Sequence, residues 1–346
     1  MRRVILVLLL IAILAIPVKA IEFTPPEAPE SAQRYMPEQV DSFGEDLWYV
    51  ITEALYMLQP RLAEAIRVCV SLLSVSLLVG LFSDFATNVK PVIVAVGTVI
   101  IGIVLFDSMN AFIHLGAQTV AQISQYGKLL LPVMTGTLAA QGAVSKSSAI
   151  YLATAVFDSL LSTAVTELLM PMVYIFLCLS ITCNVFSQPL LSQIQKFLKW
   201  LMTWGLKIVL YVFTGYIGIT GVVGGTTDAA LLKATKLTIS GMVPVVGNII
   251  SDASEAILVS AGIMKNAAGI YGLLAIIAIW IGPFLQIGLQ YILLKLTCGI
   301  CEMFAVKNMA ELMKDFSSAM GLVLAMTGTV CMIFLISTIC FMKGAG

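Results

Sequence analysis

Apolar residues run along this chain in long blocks, separated by short polar or proline- and glycine-containing breaks. Continuous apolar runs cover about 66–83, 91–113, 149–168, 171–187, 208–225, 270–294 and 319–342, with a shorter run at 129–145 interrupted by Pro132 and Gly136. Runs of about 18 or more apolar residues have the length of a bilayer-crossing helix. The pattern predicts an all-α fold, a polytopic transmembrane helical bundle of about 7–8 spans. Pro171 predicts a break between the runs at 149–168 and 171–187, because proline removes a backbone donor and ends or kinks a helix. Between Val40 and Glu64 the period changes: Leu47, Val50, Ile51, Ala54, Leu55 and Leu58 share one helical face among polar neighbours, the mark of an amphipathic helix.

Composition gives the same class. Hydrophobic residues make up 60% of the chain and charged residues 11%, and mean hydropathy is +1.01. Soluble domains carry about a quarter charged residues, so a soluble reading is excluded. The first twenty residues differ in kind. MRR is a basic start, VILVLLLIAILAI an apolar core, and PVKA a small-residue ending before a polar stretch. That order predicts a cleavable signal peptide over 1–20, cut after Ala20, with an uncleaved first span as the alternative. Residues 21–64 hold nine of the 19 acidic residues against only Arg34 and Arg61. They read as an extracytoplasmic acidic tether followed by the amphipathic helix, which lies on the bilayer or docks on a partner. Residues 65–346 are the polytopic membrane domain.

The chemistry of interest lies where polar residues interrupt the oil. GMVPVVGNIISDASEAILVSAGIMKNAAGIYG at 241–272 is long enough to cross a bilayer, yet carries Asp252 and Glu255 near its centre. Two carboxylates facing lipid would cost on the order of 5–7 kcal/mol. Asn248, Asp252 and Glu255 stand at i, i+4 and i+7 and form one stripe, which can face protein, a wet cavity or the headgroup plane. Pro244 and Gly247 break the approach to that stripe, and Lys265 and Asn266 mark the return to a polar boundary. Irregular backbone at membrane depth persists only where protein or water satisfies it. A re-entrant segment of the kind transporters use at binding sites is therefore one reading, and a surface helix with wet acids is the other.

A second polar stripe, Asp107, Asn110 and His114, closes the run at 91–113. It reads as an interfacial cap or, through the lone histidine, as a proton relay. Asp158 and Glu167 lie on opposite faces of an ideal helix and are not a pair. Cys298 and Cys301 have C-x-x-C spacing without the βαβ context of a redox motif, so all seven cysteines read as packing residues. The glycines of GVVGGTTD at 221–228 lack a Walker lysine. KLLLPVMTGTLAA (128–140) weakly echoes SGMVPVVGNIISD (240–252), with Pro132 and Pro244 aligned. No metal-ligand spacing or nucleophile–base set is present, so neither an enzyme nor a cofactor nor a nucleic-acid partner is expected.

The order of signal peptide, acidic N-terminal region, multiple spans and the block V-P-V-V-G (243–247), S-D-A (251–253) and K-N-A (265–267) resembles the stage III sporulation protein AE family of endospore-forming bacteria. The resemblance covers essentially the whole mature chain, and that block is its most specific part. It implies a membrane component of the transenvelope complex between mother cell and forespore, residing in the mother-cell membrane around the engulfed forespore. It also implies partners: other stage III sporulation operon proteins, among them ring-forming proteins and a cytosolic ATPase, and a forespore-side channel partner. It carries over no catalytic residues.

Orientation follows by parity. With the mature N-terminus outside, counting the predicted spans puts Lys196, Lys199 and Lys207 on the cytoplasmic side. Lys295, Lys307 and Lys314 join them if 241–272 does not cross, which agrees with the positive-inside tendency. The expected role is a permease-like or platform subunit of the channel. An autonomous secondary transporter coupled through Asp252 and Glu255, or a structural anchor gathering the ring, are the alternatives.

Overall fold

A computed structural model describes residues 25–40, 42–85, 87–140, 144–186, 188–219, 267–304 and 307–344. All regular structure in it is helical. A four-residue helix α1 (Glu30–Gln33) precedes seven longer ones: α2 (Phe43–Phe85), α3 (Lys90–Ala140), α4 (Val144–Thr163), α5 (Met170–Phe186), α6 (Pro189–Ile219), α7 (Ala267–Phe304) and α8 (Lys307–Gly344). A π-helical turn, Ala164–Leu169, joins α4 to α5 without a break, so the described residues contain six helices long and apolar enough to cross a membrane.

Two predicted breaks are bridged. The runs at 91–113 and 129–145 lie largely within the single helix α3, which passes through Pro132, and the runs at 149–168 and 171–187 form one helix through the π turn. Pro171 lacks an N–H, and its ring crowds the carbonyl four residues back, at Glu167. Glu167 lies inside the π turn, where Met170 N–H reaches back five residues to Val165 O. The wider turn accommodates the proline. Among packed apolar helices proline no longer dictates a helix end, because neighbours re-satisfy the freed groups.

The amphipathic stretch also has no boundary with the first apolar run. Both belong to α2, whose 43 residues reach about 65 Å at 1.5 Å per residue, twice the thickness of a bilayer core. Phe43, Leu47, Val50 and Ala54 are buried, and the helix packs mainly on α7 of its own chain. Part of the acidic N-terminal segment is docked too. Ala28, Ala32 and Tyr35 are buried, Tyr126 Oη donates to Pro26 O at 3.3 Å, and Ser31 Oγ donates to Gln122 Oε1 at 3.0 Å. Tyr35 rests on Gly282 of α7, where any larger residue would strike its ring.

The bundle centres on α8. In its most apolar window 83% of residues are buried, against 22% in α2, so α8 is the core and α2 the periphery. α7, α3, α4 and α5 surround it. Close approach uses small residues, as helix pairs in lipid require: Gly127 of α3 lies directly under the ring of Phe334 of α8. Thr154 and Ser337 meet across α4 and α8 at 2.7 Å between hydroxyl oxygens.

Candidate functional site

The α5–α6 and α7–α8 turns lie side by side at one end of the bundle, and between them opens a polar cleft of about 600 Å³. Its floor is built by three helix ends. Ser180 and Asn184 stand one turn apart on α5, Gln195 and Lys199 one turn apart on α6, and Asn308, Glu311 and Asp315 follow at i, i+3 and i+7 on α8.

Asp315 is the centre of the floor. Its Oδ2 accepts from Gln195 Nε2 at 2.7 Å and from Asn184 Nδ2 at 3.4 Å. The same Gln195 nitrogen donates to Ser180 Oγ at 2.7 Å, and Ser180 Oγ donates to Phe176 O at 2.8 Å. Asn308 Nδ2 donates to the Asn184 carbonyl at 2.7 Å and ties α8 to the end of α5. Gln195 and Asn184 are both 7% exposed, so their amides depend on these partners rather than on water. A connected network of this kind locks three helices into one register.

The rim is charged. Lys196, Lys199, Lys314 and Glu311 surround the opening. Lys199 Nζ donates to Ser318 Oγ at 3.0 Å, and Lys307 approaches Glu311 at 3.8 Å. Of the six lysines expected to share one side of the membrane, Lys196, Lys199, Lys307 and Lys314 converge on one end of the bundle, while Lys207 and Lys295 lie further along α6 and α7.

Of the residues singled out in the sequence, Pro244, Gly247, Asn248, Asp252, Glu255, Lys265 and Asn266 lie outside the described residues. Asp107, Asn110 and His114 share an exposed face of α3, at mid-helix rather than at a helix end. Tyr174 Oη of α5 donates to Asn110 Oδ1 at 2.6 Å. Asp158 is buried against α3, where Ser124 Oγ donates to its Oδ2 at 2.8 Å, while Glu167 is exposed. The two acids are not a pair. The seven cysteines are free thiols, five of them buried, and Cys298 Sγ donates to Ala310 O at 3.3 Å. Among the described residues no three His, Cys, Asp or Glu side chains converge as metal ligands.

The cleft itself was missed. Asn308, Glu311 and Asp315 have the same i, i+3, i+7 spacing as the stripe at 107–114, but they sit in a segment that reads as an ordinary polar loop between spans. Asn184 and Gln195 had no signal, since lone amides near helix ends are unremarkable until a partner is placed opposite them.

Six long apolar helices among the described residues, one of them buried at the centre, with a polar cleft at the turn end, define a polytopic α-helical membrane protein. No solved structure matches the chain. A family model, that of stage III sporulation protein AE, matches residues 35–346. The chain therefore belongs to the stage III sporulation protein AE family. A relative from Bacillus subtilis (strain 168), itself described as stage III sporulation protein AE, is 21% identical over 251 residues. The match covers 72% of this chain and 63% of that relative's length.

Proposed function

We propose that the chain is the integral membrane, permease-like or platform subunit of the transenvelope channel or secretion complex between mother cell and forespore, and is required for sporulation. The role is non-catalytic. The observation that carries this reading is the family match along residues 35–346, laid over a bundle with six helices of spanning length. The working site is the mother-cell membrane around the forespore. The partners are ring-forming proteins and a cytosolic ATPase of the same operon, together with a forespore-side channel partner.

Topology in this reading has residues 1–20 as a cleaved signal peptide and residues 21–64 on the extracytoplasmic side. The helices support the parity on which it rests. Five predicted spans between 66 and 187 become three helices, α2, α3 and the joined α4–α5, and both numbers are odd. Lys196 and Lys199 keep their cytoplasmic assignment. α6 ends and α7 begins at the end of the bundle opposite the cleft, which favours a 241–272 stretch without a net crossing. Such a stretch is the re-entrant element of the proposal, with Asn248, Asp252 and Glu255 toward a polar interior.

The test has two arms. A spore-forming host lacking its own family member is complemented with this chain, and heat-resistant spores are counted. In a cysteine-free version, cysteines placed from Gly241 to Gly272 are labelled with a membrane-impermeant maleimide. Restored sporulation and periodic labelling through positions 248, 252 and 255 are expected. Full sporulation without the protein would remove the channel role. Labelling of an entire polar face from one side, with no protected depth, would replace the re-entrant element by a surface helix and favour a structural anchor.

A further inference from the structure

The cleft between the α5–α6 and α7–α8 turns has more positive charge on its rim than the fold uses. Lys196 and Lys314 line it, and among the described residues neither has an ion pair or a side-chain hydrogen bond. Lys199 is attracted by the Asp315 carboxylate and, more weakly, repelled by the ammonium group of Lys314. Of the acids nearby, Asp315 takes the Gln195 and Asn184 donors on Oδ2 and its charge acts on Lys199, while Glu311 faces Lys307 at 3.8 Å, which leaves Lys196 and Lys314 as the unmatched charges. Ser192 adds a hydroxyl to the lining.

The surroundings of the cleft are apolar and aromatic. Phe186 and Leu190, at the end of α5 and the start of α6 and next in sequence to lining residues, are 67% and 68% exposed. Along α6 the exposed rings of Phe197, Trp200 and Trp204 form a ladder with centroids 5.9 and 6.1 Å apart. The amphipathic rings of Trp200 and Trp204 suit the depth at which headgroups meet hydrocarbon. Lysines beside them extend their ammonium groups to the interface.

We propose that this cleft is a binding site for the headgroup of an anionic phospholipid, with Lys196, Lys199 and Lys314 on the phosphate and the acyl chains lying along Phe186, Leu190 and the aromatic ladder of α6. Basic pockets between transmembrane helices take doubly charged lipid headgroups in this manner. The site depends only on the chain being a membrane protein, not on its role in a channel. Bound lipid would cement the two turns at the end of the bundle where Asn308 and Gln195 already join three helices.

The full chain is purified in detergent, stripped of lipid, and titrated separately with cardiolipin, phosphatidylcholine and inorganic phosphate. Native mass spectrometry reads lipid adducts and thermal melting reads stabilisation. Cardiolipin is expected to remain bound and to raise the melting temperature, whereas phosphatidylcholine and phosphate do neither. The double variant K196Q/K314Q leaves the Lys199–Ser318 bond intact and should weaken cardiolipin binding about thirtyfold, on the attraction of two basic side chains to anionic lipid. K196R/K314R should retain binding, and Lys90→Gln, at the α2–α3 turn, should change nothing. Equal retention of phosphatidylcholine, full stabilisation by phosphate alone, or unchanged binding in K196Q/K314Q would each overturn the proposal.

Discussion

The contact between Gly127 and Phe334 offers a quantitative test of how α3 meets α8. A Cβ at position 127 would overlap Cε1, Cζ and Cδ1 of the Phe334 ring. That ring is 1% exposed and packed on all sides, so it cannot swing away into lipid or water. Gly127→Ala must push the helices apart or drive the ring off its rotamer, and overpacking of this kind costs about 1–3 kcal/mol. Alanine also gains roughly 1 kcal/mol over glycine in a helix interior, which hides part of the clash. Gly205→Ala removes this ambiguity, because a Cβ there meets nothing within 4 Å. The difference between the two alanine variants cancels the propensity gain and isolates the clash. Stability is measured on the purified protein in mixed micelles by titration with a denaturing detergent, followed by circular dichroism. Gly127→Ala should be less stable than Gly205→Ala by about 1–3 kcal/mol. Adding Phe334→Leu should recover much of that loss, a non-additivity that identifies direct contact. If the two alanine variants melt alike, or if Phe334→Leu simply adds its own cost, α3 and α8 do not pack face to face at this level.

Three further outcomes are expected. Gln195→Leu removes the 2.7 Å donor to Asp315 and the one to Ser180, leaving Asp315 only the 3.4 Å contact from Asn184. The same unfolding assay should show a loss of about 1.5–3 kcal/mol, the range for hydrogen bonds to charged groups, and a loss below the error of the assay would exclude a structural role for the network. Ser124→Val strips Asp158 of its hydrogen-bond partner and should cost about 1–3 kcal/mol; Asp158→Asn, added to it, should restore part of that loss. In a cysteine-free background, Ser31→Cys and Gln122→Cys should be joined by a short bifunctional methanethiosulfonate, because their native side chains meet at 3.0 Å. Failure to link, with each cysteine singly reactive, would mean that the acidic segment is free.

The class of the protein was legible without coordinates because lipid imposes a length and a composition on whatever crosses it. A chain with 11% charged residues has few other places to be, and the lysine pattern already grouped Lys196, Lys199 and Lys207 with Lys295, Lys307 and Lys314 for a 241–272 stretch that does not cross. Helix ends were less legible. Pro132 and Pro171 read as breaks because their local cost is certain, while the neighbours that offset it, and the π turn before Pro171, exist only in the packed bundle. The amphipathic face at Leu47, Val50 and Ala54 was visible as a stripe, but periodicity cannot say what a stripe faces. The tertiary structure placed it on α7.

The cleft marks the boundary most clearly. Asn184, Gln195 and Asp315 are separated by as many as 131 residues, and none of their local sequence contexts demands a partner. A hydrogen bond between side chains depends on distance in space, and only the docking of α5, α6 and α8 brings these groups within reach. The sequence by itself determined that the chain enters a membrane, how much of it is helical, and which residues are too polar to face lipid. The tertiary structure decided which of those polar residues meet, because burial and hydrogen bonding belong to helix pairs and not to single helices.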